Sequence, residues 1–120
     1  MAAKVVDEYK ILLADFIKGT REGSVEWVRV NPTTYAWENN RGKVNIQRVE
    51  KKRAIMTSSG ISTVTDRNYF LRAYDLNGDS IVSVSSSEYS ELEDELRSVF
   101  DLAAEAAASR GLKFLKGMLD

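Results

Sequence analysis

Apolar residues recur every three or four positions near both ends of the chain and at every second position between them. The first such stripe places its apolar residues on one face of an α-helix; it consists of Val5, Val6, Tyr9, Leu12, Leu13, Phe16 and Ile17. Gly19 fits the position just past a helix C-terminus, where positive φ is favoured. The pattern therefore predicts an amphipathic helix over residues 3–19.

The period then changes to two, which is typical of half-buried β-strands. A first strand is predicted from Val25 to Val30 and ends at the turn Asn31-Pro32, because proline cannot donate to a strand ladder. Short alternating runs follow at Tyr35–Trp37 and at Lys43–Val49. These segments predict the start of an antiparallel meander over residues 24–85.

Residues 50–67 are harder to interpret, since a structureless loop of that length is uncommon in a compact domain. Their second half is rich in β-branched residues, which favour strands; these are Ile61, Thr63, Val64 and Thr65. We therefore expect a long hairpin extension that turns near Gly60.

Asn77-Gly78 lies between the alternating runs Tyr69–Asp75 and Ser80–Ser85. This dipeptide is a strong hairpin signal, because both central residues of a type I′ turn have positive φ. The pattern predicts a hairpin with that turn.

A second helix is predicted over residues 88–110. Ser85 and Glu88 have capping-box spacing, and one apolar face continues for about five turns; its residues are Tyr89, Leu92, Leu96, Val99, Phe100, Ala103 and Ala107. Gly111 is expected to end this helix. Residues 112–119 then predict a short helical tail with Leu112, Leu115 and Leu119 on one side.

These elements predict a single α+β domain over residues 1–120. One core suffices for a chain of this length. A half-apolar antiparallel sheet of four or five strands and two amphipathic helices favour a two-layer sandwich in which both helices cover one sheet face.

Residues 9–110 are similar to a group of small bacterial domains without an assigned activity. The similarity lies in Arg21-Glu22-Gly23-Ser24-Val25-Glu26-Trp27, in the hairpin of residues 69–78, and in the helix opening Tyr89-Ser90-Glu91-Leu92. The segment 50–67 is longer than the compact hairpin expected there. The resemblance implies the fold described above and no catalytic residue.

The chain contains neither histidine nor cysteine. The residue that titrates near neutral pH, the strongest nucleophile and the soft metal ligands are therefore missing, and we expect neither an enzyme nor a cofactor or metal site. Asp75, Asn77 and Asp79 have the spacing of the first calcium-loop ligands, but Ser80 and Ser86 stand where that loop has Gly and Glu. The plain hairpin turn is the preferred interpretation.

The formal net charge of −1 provides no general attraction to nucleic acids or anionic membranes. The N-terminal region is interrupted by charges, and no run approaches the roughly 18 apolar residues of a membrane span. We expect a cytoplasmic protein without membrane contact.

Charge is nevertheless unevenly distributed. Six basic residues accompany the single acid Glu50 between positions 41 and 53; they are Arg41, Lys43, Arg48, Lys51, Lys52 and Arg53. With Tyr35 and Trp37 on a neighbouring strand they could form a nucleic-acid surface, although a solvated strand edge protected by cations is favoured. The acids of the second helix, mostly in its first half, suit the helix dipole; an acidic surface for a charged partner is the alternative.

These observations favour a non-enzymatic protein-interaction or accessory domain, with a homodimer as one hypothesis. The contact would be the uncovered sheet face, where Phe70 and Tyr74 share a side, or the segment 112–119. The alternative function is a nucleic-acid-binding module that uses residues 41–53, and a calcium-dependent role is the third.

Overall fold

The computed structural model describes the backbone of residues 2–120 and the side chains of residues 5–120. Two helices flank a five-stranded sheet. The elements are α1 (Ala2–Glu22), β1 (Val28–Asn31), β2 (Thr34–Asn39), β3 (Gly42–Thr57), β4 (Gly60–Tyr74), β5 (Ser80–Ser85), a 3-10 turn (Ser90–Leu92) and α2 (Glu93–Leu119).

The five strands form an antiparallel meander in chain order. Tyr35 and Trp37 occupy alternate positions of β2 and so face the same side. On that side Phe16 of α1 lies 6.0 Å from the Trp37 ring, and Phe100 of α2 lies 5.5 Å from the Tyr35 ring. Both helices therefore cover one face of the sheet, and the predicted α+β fold is confirmed.

Trp27 is the largest fully buried side chain of the core. Its indole Nε1 donates a hydrogen bond of 2.8 Å to Thr20 Oγ1, which itself donates one of 2.7 Å to the Phe16 carbonyl. The tryptophan precedes β1, so the predicted start of the first strand at Val25 is wrong. The segment before the strand instead fixes α1 to the core.

The end of α1 also differs from the prediction, because the helix continues through Gly19 to Glu22. The chain then folds back, and the backbone N–H groups of Ser24 and Val25 donate to the Gly19 carbonyl at 2.9 and 3.1 Å. A Cβ at Gly19 would lie 2.7 Å from Val25 Cγ2. Glycine is needed there for this close approach, while Gly23, with φ of 84°, adopts the positive φ of a cap.

Both predicted boundaries of the second helix are wrong. The Glu88 N–H does donate to Ser85 Oγ at 3.2 Å, but Tyr89 has φ of −127° and ψ of 84°, so no helix starts until Ser90. At the other end α2 passes through Gly111 and includes the predicted separate tail. An interior glycine costs a helix only about 1 kcal/mol, and the residues around it are good helix formers.

The predicted hairpin of β4 and β5 is present, but its turn is not type I′. Gly78 has φ of 86°, whereas no non-glycine residue has positive φ in the described part of the chain, Asn77 included. The loop spans residues 75–79 and is closed by hydrogen bonds between Asp75 and Gly78 and between Asp75 and Asp79, each of 3.0 Å. The Asp75 side chain, which accepts from two backbone N–H groups of the loop, selects this wider turn.

Strands β3 and β4 continue well beyond the core as a two-stranded ribbon. We name residues 50–67 the arm. Its strands stay in register to Thr57 opposite Gly60, which confirms the predicted hairpin, and none of its residues is buried. The radius of gyration is 17.0 Å, against about 14 Å expected for a compact domain of this length. The arm and the exposed end of α2 account for the extended shape.

Replacement of Thr20 by valine should lower the free energy of unfolding by about 1–3 kcal/mol, because the buried Trp27 N–H would lose its acceptor. Urea denaturation monitored by circular dichroism measures this change. The matched control is the same substitution in a Trp27→Phe background, where the N–H is absent and the cost should be smaller. Equal costs in the two backgrounds would contradict the assigned role of Thr20.

Replacement of residues 50–67 by Asn-Gly should leave the core folded, because Val49 and Asn68 are already paired and would flank a two-residue turn. The free energy of unfolding should change by no more than about 1 kcal/mol, as expected for parts outside the core. Urea denaturation and small-angle scattering measure stability and the decrease in radius of gyration. An unfolded product would show that the arm is part of the folding unit.

Candidate interaction surfaces

The sheet face opposite the helices carries Phe70, Arg72 and Tyr74, as the alternation of β4 predicts. Their partners on β3 are Gln47, Asn45 and Lys43, in that order. The Arg72 guanidinium lies 4.8 Å from the centroid of the Phe70 ring, a cation–π contact that contributes about 0.5–1 kcal/mol at an exposed site. Phe70 is half-buried. This face is therefore mixed rather than continuously apolar.

The base of the arm is tied to the segment between β5 and α2 by the side chain of Asn68. Asn68 Oδ1 accepts from Ser86 Oγ at 2.6 Å and from the Ser87 N–H at 3.0 Å, while its Nδ2 donates to Ser87 Oγ at 3.0 Å. Ser86 Oγ also accepts from the Tyr69 N–H at 3.0 Å. These bonds fix the point where the arm leaves the core.

A surface groove of about 510 Å³ lies at that base, on the open-face side. Its lining combines the Phe70 ring with charged side chains of both signs; these are Lys51, Asp66, Arg67, Arg72 and Glu93. A groove of such composition does not select a cation or an anion by charge alone.

The structure divides the basic stretch between several surfaces. Arg48 faces the helices, with its guanidinium carbon 4.9 Å from the centroid of the Phe100 ring. Lys43 lies opposite Tyr74 on the other face, and Arg41 lies outside the strands, between β2 and β3. Because side chains alternate along a strand, Lys52 and its neighbours in sequence lie on opposite faces of the arm.

The aromatic residues that could have completed a nucleic-acid surface lie in the core or pack against it. Tyr35 is buried, with its ring against that of Phe100, and Trp37 packs on Phe16. The Tyr35 ring is therefore not available for base stacking, and Trp37, which is partly buried, lies on the helix side of the sheet.

Two ion pairs link the strands of the arm, and a third joins Glu50 to Arg48 within β3. Glu50 Oε1 lies 3.1 Å from Arg67 Nε and 3.3 Å from Arg48 Nε, and Arg53 Nε lies 2.7 Å from Asp66 Oδ2. Exposed pairs of this kind contribute about 0–1 kcal/mol each. They therefore favour the observed register of β3 and β4 but add little to the free energy of unfolding. Lys51 and Lys52 form no ion pair with any residue that the structure describes.

The tip of the arm carries two exposed apolar side chains that the sequence analysis did not single out as a pair. Met56 and Ile61 lie directly opposite each other and are 81% and 73% exposed. Residues 54–65 contain no charge. Alternation assigns each of these side chains to a face of its strand, but only the register between β3 and β4 shows that the two are paired.

The end of α2 carries five exposed large apolar side chains within eight residues. Every residue from Ala108 onward is exposed. The large apolar side chains of this end, 54–88% exposed, are Leu112, Phe114, Leu115, Met118 and Leu119. At 3.6 residues per turn they occupy an arc of about 160°, outside which Lys113 and Lys116 lie. Phe114 and Met118 widen the predicted leucine stripe and were not part of the prediction. The spacing signal for them was present, since Met118 follows Phe114 by four residues and Leu115 by three.

Acidic side chains are concentrated at the start of α2. Glu93, Asp94 and Glu95 occupy its first turn, where negative charge interacts favourably with the helix dipole by about 0.3–1 kcal/mol per residue. Asp94 also lies 2.7 Å from Arg97 Nη2. The favourable interaction with the helix dipole therefore explains why these acids lie at the start of the helix.

The spacing of Asp75, Asn77 and Asp79 is explained by the turn. Asp75 Oδ1 accepts hydrogen bonds from the backbone N–H groups of Asn77 and Asp79, at 2.9 and 3.0 Å. Over residues 2–120, no group of three or more His, Cys, Asp or Glu side chains is arranged to hold a metal ion.

No family model matches the chain, and neither does any curated protein or solved structure compared with it. The similarity to small bacterial domains therefore stays a prediction. Within the described residues, neither helix is long and apolar enough to cross a membrane.

Proposed function

We propose that the protein is a non-enzymatic interaction domain that associates with a second copy of itself through the end of α2. The observation that carries this proposal is the group of five large, exposed apolar side chains between Leu112 and Leu119. Exposed apolar patches of this kind commonly mark protein contacts. The absence of histidine and cysteine from the sequence supports the non-enzymatic part.

The energetics favour a symmetric contact. Full burial of a large apolar side chain contributes about 1.5–3 kcal/mol, and a two-fold pair of α2 ends would cover part of each of two sets of five. Burial of about half of this exposed surface is comparable with the roughly 4–15 kcal/mol that association costs in lost freedom. Lys113 and Lys116 lie outside the apolar arc, so the contact would leave both ammonium groups in water.

Replacement of Leu112, Leu115 and Leu119 by serine should weaken self-association, because it removes much of the apolar area at the contact. Size-exclusion chromatography with light scattering measures the mass at several concentrations, relative to 13.5 kDa for one chain. The variant should remain folded, since the three side chains are exposed.

The control for this experiment is the Lys113→Ser, Lys116→Ser variant, which changes the polar side of the same turns and should associate like the wild type. Identical masses for the wild type and the leucine variant at every concentration would contradict the proposal.

Binding of nucleic acid through the arm is the second candidate. The observation in its favour is that Lys51 and Lys52, which form no ion pair with any described residue, lie on a two-stranded ribbon. Ribbons of this width fit the major groove.

Under this second candidate, Lys51→Ala, Lys52→Ala and Arg53→Ala together should weaken binding to duplex DNA and reduce its salt dependence by about one unit of slope per lost phosphate contact. Fluorescence anisotropy over a salt series measures both effects. Lys113→Ala with Lys116→Ala controls for a general loss of charge. Binding that is undetectable in the wild type, or equally weakened in the control, would count against the candidate.

A further inference from the structure

The arm has two outer backbone edges that carry no partner strand in the described structure. Pairing of β3 with β2 reaches only Gln47, opposite Thr34, and pairing of β4 with β5 reaches only Phe70, opposite Ser85. One further hydrogen bond follows on each side, from Arg48 N–H to the Thr33 carbonyl and from Ser86 N–H to the Tyr69 carbonyl. Beyond these positions the arm presents unpaired N–H and C=O groups, which are templates for another strand.

The two edges differ in their protection against such pairing. The β3 edge carries three consecutive cations, Lys51, Lys52 and Arg53, and cations on an edge strand discourage strand addition. The β4 edge is uncharged from Gly60 to Thr65 and rich in β-branched residues, which favour strand pairing. The uncharged part of the β3 edge is limited to residues 54–57, so the β4 edge is the better suited of the two to accept a strand.

Two-fold symmetry strengthens the contrast. In an antiparallel pair of β3 edges centred on Lys52, that lysine would face its own copy and Lys51 would face Arg53, and like charges directly opposite destabilise a sheet. In a pair of β4 edges centred on Val64, the valine faces its own copy and Thr63 faces Thr65. The next positions place Ser62 opposite Asp66 and Ile61 opposite Arg67, so no like charges meet.

We propose that the arms of two copies pair antiparallel through their β4 edges, with the two-fold axis at Val64. The product is a four-stranded ribbon in which both β4 strands are internal and the cationic β3 strands form the outer edges. Such a contact is self-limiting, because each outer edge carries the charges that oppose further addition. Main-chain hydrogen bonds would provide the affinity, as in other strand additions.

This interface is separate from the one proposed at the end of α2. A chain with two symmetric interfaces would form assemblies larger than a dimer. The arm is therefore tested in the Leu112→Ser, Leu115→Ser, Leu119→Ser variant, which we call the parent, where arm pairing alone would produce a dimer.

The first experiment uses cysteine cross-linking, which is clean because the chain has no cysteine of its own. Val64→Cys in the parent should form a disulfide-linked dimer under mild oxidation, since directly opposed residues of an antiparallel pair have Cα separations of about 4.5–5.5 Å, which a disulfide spans. Lys52→Cys, on the other edge of the same arm, is the matched control and should cross-link at least about tenfold more slowly.

The register is tested by mixing Thr63→Cys with Thr65→Cys, which should cross-link faster than either variant alone. The proposal is overturned if Val64→Cys cross-links no faster than Lys52→Cys. It is also overturned if the mixture of Thr63→Cys and Thr65→Cys cross-links no faster than either variant alone. If the parent is monomeric and its Val64→Cys form does not cross-link, the β4 edge does not pair with a second copy. This result would overturn the proposal as well.

The second experiment exchanges charge at the two exposed threonines. Thr63→Lys with Thr65→Lys places lysine opposite lysine twice and should reduce the dimer affinity of the parent by about tenfold or more. Thr63→Lys with Thr65→Glu places opposite charges in the same positions of the same chain and should retain or increase the affinity. Light scattering over a concentration series measures both, and equal affinities for the two variants would refute the register.

The two proposed interfaces fail in different ways. If the arm does not pair, the charge exchange has no effect in the parent, while the serine substitutions still change the mass of the wild type. If the end of α2 does not associate, the parent and the wild type have equal masses, while the charge exchange remains effective.

Discussion

The continuous register between β3 and β4 is the constraint on which the rest of the structure depends. Fifteen consecutive pairs run from Lys43 opposite Tyr74 to Thr57 opposite Gly60 without a bulge. The ladder places Ile46 and Leu71 under the helices, and a slip of one residue would turn every side chain of one strand to the other face. Packing in the core therefore determines the register, and the same register continues through the arm, although the arm has no core of its own.

Much of the fold follows from periodicity, while the ends of its elements depend on tertiary contacts. The stripes of both helices and the alternation of the strands predict the two layers and the shared helix face. They do not show that Gly19 is required by the approach of Val25 or that α2 passes through Gly111. At Asn77-Gly78 the hairpin was predictable, but the neighbouring Asp75 carboxylate favours a wider loop than the dipeptide alone suggests.

The surfaces were predictable to the extent that a local period controls them. Alternation placed Phe70 and Tyr74 on the uncovered face. The same alternation divides the basic stretch, which looks continuous in sequence, so that Arg48 packs on Phe100 while Lys51 and Lys52 project from the arm. The β-branched residues after Gly60 predicted that β3 and β4 continue as a hairpin, but not that this hairpin leaves the core. No local pattern shows that α2 continues as one helix beyond Gly111, because where the core stops is a property of the assembled layers.

The continuity of α2 has a consequence for dynamics. The same hydrogen-bonded rod includes Leu96 and Phe100 in the core and ends at Leu119, surrounded by solvent. Helical turns without tertiary packing are marginal in water and fray readily. The terminal turns of an unoccupied chain should thus exchange their amide protons quickly, and any molecule that covers them would slow this exchange inward toward Ala108. The rate of amide exchange at this end therefore reports whether the end of α2 is covered, whatever the bound molecule is.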